Sequence, residues 1–138
     1  MKTIRQTYDI KAPADRVWQA LVDPKVIEEW GGGPAKMSEK AGAPFSLWGG
    51  DIHGKNLVVD AEKQLVQEWY SGDWPKPSKA TFTLKEEKGA HEGHASKAKT
   101  RIDLLHENVP DEEEKDIADG WDTFYLGEIK KLLEKEKT

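Results

Sequence analysis

Two Asp–His pairs and one pair of histidines have the residue types that acid–base or metal chemistry uses. Asp51 and His53 lie in the stretch FSLWGGDIHG. A general base needs a substrate pocket and an orienting partner, and the sequence marks neither near this pair. The flanking apolar residues and Gly49-Gly50 instead indicate two strands joined by a tight turn, with the pair open to solvent. We therefore expect a structural or surface role for Asp51 and His53.

The other two pairs do not form a complete site either. His91 and His94 are three residues apart in a segment containing Gly and Ala. They reach one metal ion together only if this segment turns helically, and no third ligand is marked, so we predict no metal site. In KTRIDLLHEN, alternation directs His106 toward the apolar face at the rim of the sheet and Asp103 outward, so these two form no dyad. Of a hydrogen-bonded histidine at the sheet margin and a catalytic one, we favour the first for His106.

A carboxylate also lies on the edge of an apolar helical stripe. Glu128 is four residues from both Phe124 and Leu132. A charge at such a position costs free energy unless it is paired or hydrated. Two interpretations stay open: a rim residue that reaches water or pairs with Arg16 or Arg101, which we favour, and a polar anchor at the mouth of a pocket.

The elements that position these residues follow from hydrophobic periodicity. Alternation predicts a first strand over 2–11, and helical spacing predicts a helix after Pro13 and a second short helix over 25–30. Strand signals punctuated by Gly, Pro, Asp and Asn then predict strands at 36–39, 45–48, 52–59, 64–70, 80–86 and 100–106. Most links are too short for crossover helices, so the predicted sheet is antiparallel.

A long amphipathic helix follows Pro110. Asp111 and Glu114 resemble a capping box, and lysines near the end of the helix favour its dipole. The helix carries a broad apolar stripe of Ile117, Ala118, Trp121, Phe124, Tyr125, Ile129 and Leu132. This stripe needs a partner surface, and the concave face of a curved sheet is the available one. We predict a single α+β domain over 1–138, in which a curved antiparallel sheet of six to seven strands wraps around the C-terminal helix.

Composition excludes several classes of function. The 138 residues carry a formal net charge of -5 and no basic stripe that could follow a phosphate backbone, so we expect no nucleic-acid partner. The absence of cysteine excludes disulfides and thiol catalysis. No signal-peptide run is present, and no segment approaches the roughly 20 apolar residues that span a bilayer. We expect a cytoplasmic protein without membrane insertion, and a monomer.

Several stretches along nearly the whole chain carry a family signature. They are APADRVWQALVDPKVIEEW, FSLWGGDIHGKNL, QLVQEW followed by GDWP, TFTL, TRIDLLHENVP and GWDTFYLGEIKKLLE. In this order they resemble the family of the activator of the heat-shock-protein-90 ATPase, within the START-like (SRPBCC), or helix-grip, superfamily. The resemblance implies a strongly curved sheet around the C-terminal helix, with a cavity between them.

Aromatic residues are spread over every element that is expected to face the interior between sheet and helix. A single aromatic residue at strand or helix spacing is most often part of the core. As a set, however, these residues also suit a concave apolar pocket with few polar anchors. The residues predicted to line this pocket are Trp30, Phe45, Leu47, Trp69, Trp74, Phe82, Leu104, His106, Trp121, Phe124, Tyr125 and Glu128.

Three functions from different classes remain. We favour a non-enzymatic domain, without a cofactor, that binds a hydrophobic or amphipathic small molecule in this cavity. The resemblance implies the second, a module that binds a heat-shock-protein-90 chaperone and stimulates its ATPase. The third is an enzyme resembling the superfamily's polyketide aromatases and cyclases. It ranks last because no nucleophile, metal set or paired acid and base is evident, and we predict no catalytic residue.

Overall fold

The computed structural model describes residues 1–87 and 98–135 and has the predicted element order of a helix-grip fold. Its first half contains β1 (Lys2–Ile10), α1 (Ala14–Val22), α2 (Pro24–Trp30), β2 (Pro44–Leu47) and β3 (Ile52–Asp60). Its second half contains β4 (Gln64–Ser71), β5 (Ser78–Glu87), β6 (Lys99–Val109), α3 (Glu114–Gly120) and α4 (Leu126–Lys135). Short 3₁₀ turns lie at Trp48–Gly50 and Asp111–Glu113.

The six strands form one curved antiparallel sheet in the order β1-β6-β5-β4-β3-β2. Consecutive strands from β2 to β6 are neighbours, whereas β1 joins the sheet by pairing with β6. The predicted strand at 36–39 is wrong. That segment makes a single bridge, in which Lys36 and Ser46 exchange two backbone hydrogen bonds. Beyond this bridge the carbonyl oxygens of Ser38 and Lys40 accept hydrogen bonds from the side-chain amide of Asn56 and not from the backbone of a neighbouring strand.

The C-terminal helix crosses the concave face of the sheet and is also hydrogen-bonded to β1. The Gln6 amide donates to the carbonyl oxygen of Ala118 at 3.0 Å, and the Lys130 ammonium donates to that of Asp9 at 2.6 Å. Trp121 packs edge to face on Phe82 of β5, with ring centroids 5.5 Å apart. Burying an aromatic or aliphatic side chain of this size stabilises the fold by about 1.5–3 kcal/mol. These contacts hold the helix in one register on the sheet.

A π-helical turn at Trp121–Tyr125 joins α3 to α4 without breaking the helix. The Leu126 N–H donates to the carbonyl oxygen of Trp121, five residues back. In an α-helix the residues three and four positions after Trp121 would both lie on its face, whereas the wider π turn keeps Tyr125 near that face and turns Phe124 away. Trp121 and Tyr125 are each 2% exposed and Phe124 is 63% exposed. The prediction that Phe124 faces the interior is therefore wrong, because it assumed a regular α-helix.

Gly127 permits this turn. A Cβ atom at this position would overlap the carbonyl oxygen of Asp122, five residues earlier in the same helix. The two helix glycines differ in this respect, because a Cβ on Gly120 would have no neighbouring atom within 4 Å. Only Gly127 is therefore required by the local backbone.

Candidate functional site

A cavity of about 250 Å³ opens beside the π turn. Its walls come from the turn between β2 and β3, the first residue of β3, the end of β4 and one side of the C-terminal helix. The lining residues are Trp48, Asp51, Ile52, Trp69, Asp116, Ile117, Gly120, Trp121, Phe124 and Tyr125. Five of these ten residues are aromatic, so the cavity is mainly an aromatic surface.

The aromatic rings contact one another closely. The ring centroids of Trp121 and Tyr125 are 4.5 Å apart, and Trp69 stacks on Trp121 at 5.2 Å with 28° between the planes. Trp48 meets Tyr125 edge to face at 5.9 Å. Offset and edge-to-face pairs of this kind stabilise by about 0.5–1.5 kcal/mol beyond their buried area. The wall is therefore held in place without a ligand.

Trp48 has an unusual backbone conformation. Its φ is 50°, in the left-handed region that bulky side chains rarely adopt, and it precedes Gly49 and Gly50, whose φ values are 68° and 109°. Strain of this type costs of order 1–3 kcal/mol and persists where surrounding contacts enforce it. Here the rings of Trp30 and Tyr125 both contact the Trp48 indole. The sharp turn therefore serves to direct this indole toward the C-terminal helix.

A buried hydrogen-bond chain fixes the Trp121 indole. Its N–H is only a donor, and it lies 3.0 Å from His106 Nδ1, so that nitrogen must accept. The neutral ring then carries its proton on Nε2 and donates to Ser78 Oγ at 2.7 Å, and Ser78 donates to the carbonyl oxygen of Trp69 at 2.6 Å. His106 is 0% exposed, and burial lowers its pKa from 6.5 to about 3. It is therefore a neutral positioning group for the cavity wall.

The expected position of His106 at the sheet rim is wrong. The prediction followed strand alternation correctly, since His106 does face the concave side together with Leu104. It could not include the C-terminal helix, whose Trp121 covers the end of β6 and removes His106 from solvent. Asp103 is on the opposite face, where it accepts hydrogen bonds from Thr7 and Arg101.

Two buried polar atoms of the cavity residues have no hydrogen-bond partner among the residues that the structure describes. They are Trp69 Nε1 and Tyr125 Oη, on side chains that are 3% and 2% exposed. A buried donor without a partner costs about 1–3 kcal/mol. Burial raises the pKa of the Tyr125 phenol, which therefore keeps its proton and remains a donor. Both atoms are covered by neighbouring protein atoms, so the rings of Trp69 and Tyr125, and not these polar atoms, face the cavity.

The twelve residues predicted to line a pocket separate into three groups. Those that line the observed cavity are Trp69, Trp121, Phe124 and Tyr125. Those buried in the core instead are Trp30, Phe45, Leu47, Phe82, Leu104 and His106. Trp74 and Glu128 lie farther out, near the surface. Trp74 borders a shallow groove beside Met1 and Pro110, and Glu128 forms an ion pair with Lys131 at 3.2 Å. Packed side chains fill most of the concave face, so the cavity is confined to the side of the helix beside the π turn.

Sequence reasoning did not place six of the residues in the cavity. They are Trp48, Asp51, Ile52, Asp116, Ile117 and Gly120. Asp51 is exposed as expected, but it lies at the cavity mouth. His53 is not its partner, because the imidazole stacks on Tyr70 with centroids 5.1 Å apart. The sequence contained one signal for these residues. Asp116 directly precedes Ile117 of the apolar stripe, so the polar edge of the helix meets the cavity at this point.

The structure offers little support for other kinds of site. Among residues 1–87 and 98–135, no three His, Asp or Glu side chains group closely enough to hold a metal ion. His91 and His94 lie outside the described residues. None of the described helices combines the length and apolar character needed to cross a bilayer.

Known proteins share this fold and sequence pattern. Residues 11–134 match the family described as Activator of Hsp90 ATPase homolog 1-like protein. The human activator of 90 kDa heat shock protein ATPase homolog 1 is 22% identical over 133 residues, which are 95% of this chain and 36% of that protein. The chain spans about a third of the length of the curated relatives it matches.

Two solved structures have the same fold over almost their entire length. An HSP90 activator from Plasmodium falciparum superposes with a TM-score of 0.81 at 22% identity, covering 95% of each chain. The Aha1 dimer from Colwellia psychrerythraea gives a TM-score of 0.77 at 19% identity, covering 100% of each chain. At such identities the likeness concerns the fold, whereas the family match covers nearly the whole sequence. The chain therefore belongs to the family of Activator of Hsp90 ATPase homolog 1-like proteins.

Proposed function

We propose that this protein binds a small, largely apolar molecule in the cavity beside the π turn. The observation that carries the proposal is the aromatic lining of this cavity, in which five of the ten residues are Trp, Phe or Tyr. Concave, mostly apolar sites with few polar groups are where proteins usually bind small molecules.

The cavity also limits the size of its ligand. Its volume of about 250 Å³ lies below the usual range of about 300–1,000 Å³ for sites that hold drug-sized molecules. A single ring with a short side chain fits inside this space, whereas a sterol or a long acyl chain would extend out of the cavity mouth. The described residues around the cavity form no nucleophile–base pair, so the proposal is binding and not catalysis.

Removing the phenol oxygen of Tyr125 is expected to separate stability from binding. Tyr125→Phe deletes a buried donor without a partner, so the free protein should be as stable as wild type or up to about 1 kcal/mol more stable. The same variant should bind a cavity ligand within about twofold of wild type, because the Tyr125 hydroxyl is covered by protein atoms and only the ring, which is kept, lines the cavity. Urea unfolding and calorimetric titration measure the two effects.

Tyr8→Phe is the matched control. The Tyr8 hydroxyl bonds Gln6 at 2.8 Å and Asp122 at 2.9 Å and lies away from the cavity lining. Its loss should lower stability by about 1 kcal/mol and leave binding unchanged. If Tyr125→Phe instead destabilises the protein like Tyr8→Phe, the Tyr125 hydroxyl has a partner within the protein.

A ligand can be identified directly from the purified protein. Native mass spectrometry of gently purified protein should show a stoichiometric adduct, and extraction identifies it. A thermal-shift screen of small aromatic compounds provides a second route. An empty spectrum together with a flat screen would reject the proposal.

Family membership supports a second candidate function. Relatives of this chain are named as activators of the HSP90 ATPase, so a contact with such a chaperone is the alternative. If this holds, an excess of the protein should raise the ATP hydrolysis rate of the HSP90 chaperone from the same organism. Heat-denatured protein serves as the control, and an unchanged rate at high excess would exclude the activity.

A further inference from the structure

We infer that Gly120 sets the size of the molecule that the cavity accepts, and that the bound molecule lies directly against the helix backbone at this residue. This inference rests on the proposed function and names the residue that determines its specificity. Among the described residues that line the cavity, Gly120 alone has no side chain. A Cβ atom at this position would have no neighbouring atom within 4 Å, so the space that a side chain would fill belongs to the cavity.

The backbone of Gly120 does not require glycine. Its φ of -63° and ψ of -40° are ordinary α-helical values that any residue adopts. Glycine makes a helix less stable than alanine does, because it loses more conformational freedom on folding. At Gly127 the nearby carbonyl oxygen of Asp122 excludes a side chain, but no such atom lies near Gly120. Close approach of a ligand to the backbone is a use of glycine that suits position 120.

Gly120 lies in the middle of the helix face that borders the cavity. Residues three and four positions apart are neighbours on the surface of a helix. Asp116 and Ile117 precede Gly120 at this spacing, Phe124 follows four positions later, and all three line the cavity. The missing side chain therefore leaves a notch between larger side chains, with the helix backbone as its floor.

The aromatic walls around this notch are fixed. Trp69 and Trp121 are 3% and 2% exposed and stack on each other at 5.2 Å. The Trp48 indole is in contact with the rings of both Trp30 and Tyr125. Close-packed side chains of this kind do not move aside without loss of their own contacts. A side chain added at position 120 would therefore occupy the space of the ligand and would not displace a wall.

Phenol and 4-ethylphenol test this inference, because they differ only by two apolar carbons. The wild type should bind 4-ethylphenol about tenfold more tightly than phenol, since the ethyl group is also buried. Gly120→Ala should reduce this preference to about twofold. Gly120→Leu should bind neither probe at concentrations that saturate the wild type. Calorimetric titration measures the four affinities and the loss of binding.

Asp119→Leu is the matched control. It places the same leucine side chain at the exposed preceding position of α3, outside the cavity lining, and should keep the wild-type preference for 4-ethylphenol. Gly120→Ala and Gly120→Leu are expected to fold, because their side chains enter open space. If Gly120→Leu binds 4-ethylphenol as tightly as the wild type, the inference fails and the proposed function stands. If neither probe binds the wild type and the wider screen is flat, both fail.

The contact with the helix backbone has a direct readout. Addition of 4-ethylphenol should shift the backbone N–H resonance of Gly120 in a ¹⁵N-edited spectrum. The resonance of Gly127, which lies outside the cavity lining, should stay nearly unchanged. Equal shifts at the two glycines, or a shift at Gly127 alone, would contradict the inference.

Discussion

The free energy of unfolding is expected to fall by about 2 kcal/mol between pH 7.5 and pH 5.0 because of His106. In the folded protein burial lowers the pKa of His106 from 6.5 to about 3, so the unfolded chain binds a proton that the folded chain does not. Stability is therefore complete above pH 6.5 and decreases as the pH falls, until the folded pKa is reached. The interval to be measured, pH 7.5 to pH 5.0, lies above the ordinary pKa values of carboxyl groups, about 3.9–4.3.

His106→Gln isolates this effect because it removes the titrating imidazole. The comparison uses the change in the free energy of unfolding with pH, so it does not depend on the stability of the variant at pH 7.5. Urea unfolding at half-unit pH intervals measures the slope. The wild type should lose about 1.2 kcal/mol more than the variant between pH 6 and pH 5. Parallel slopes would mean that folded His106 accepts a proton in this range. In that case the chain from Trp121 to Ser78 could not have the proton arrangement described.

The two glycines of the C-terminal helix are expected to respond to alanine with opposite signs. Gly127→Ala should destabilise the protein by about 1–3 kcal/mol, because the new methyl group overlaps the backbone carbonyl of Asp122 and only a backbone shift relieves it. Gly120→Ala should stabilise it by about 0.5–1 kcal/mol, since that position is helical and open. Thermal or urea unfolding followed by circular dichroism gives both values.

The sign of each change in the free energy of unfolding tests the local structure at that glycine. A stabilising Gly127→Ala would show that the helix passes through this region as a regular α-helix in solution, in which Phe124 would turn toward the face of Trp121 and Tyr125. A destabilising Gly120→Ala would show that a neighbour packs closely on that side of the cavity. The aromatic packing around Trp121 would differ in the first case, and near-ultraviolet circular dichroism of the indoles detects this.

Much of the fold could be predicted from local patterns. The turn at Gly49-Gly50, the two short helices and the last five strands each have punctuation and periodicity of their own. The segment at 36–39 has strand-like residues as well, but pairing requires a partner edge, and only Ser46 of β2 is in reach. The number of strands is therefore set by tertiary contacts and not by propensity.

The site was less predictable, for two physical reasons. The helical wheel assumes a constant turn angle, and the π turn changes it at the residues that form the cavity wall. An aromatic residue also has the same sequence signature whether it borders a space or fills it, so Phe82 and Trp69 could not be distinguished. Only their positions in the sheet show that Trp69 lines the cavity while Phe82 is part of the core.

The pairing of β1 with β6 has a consequence for synthesis of the chain. Lys2 of β1 lies opposite Val109 of β6, so the first strand has no partner in the sheet until the last strand has left the ribosome. The C-terminal helix, which covers the concave face, follows later still. Strands β2 to β5 can form a meander earlier, but their apolar face then stays in contact with water. Translation adds about 5–20 residues per second, so this apolar face of the nascent chain remains exposed to water for several seconds before β6 and the C-terminal helix can cover it.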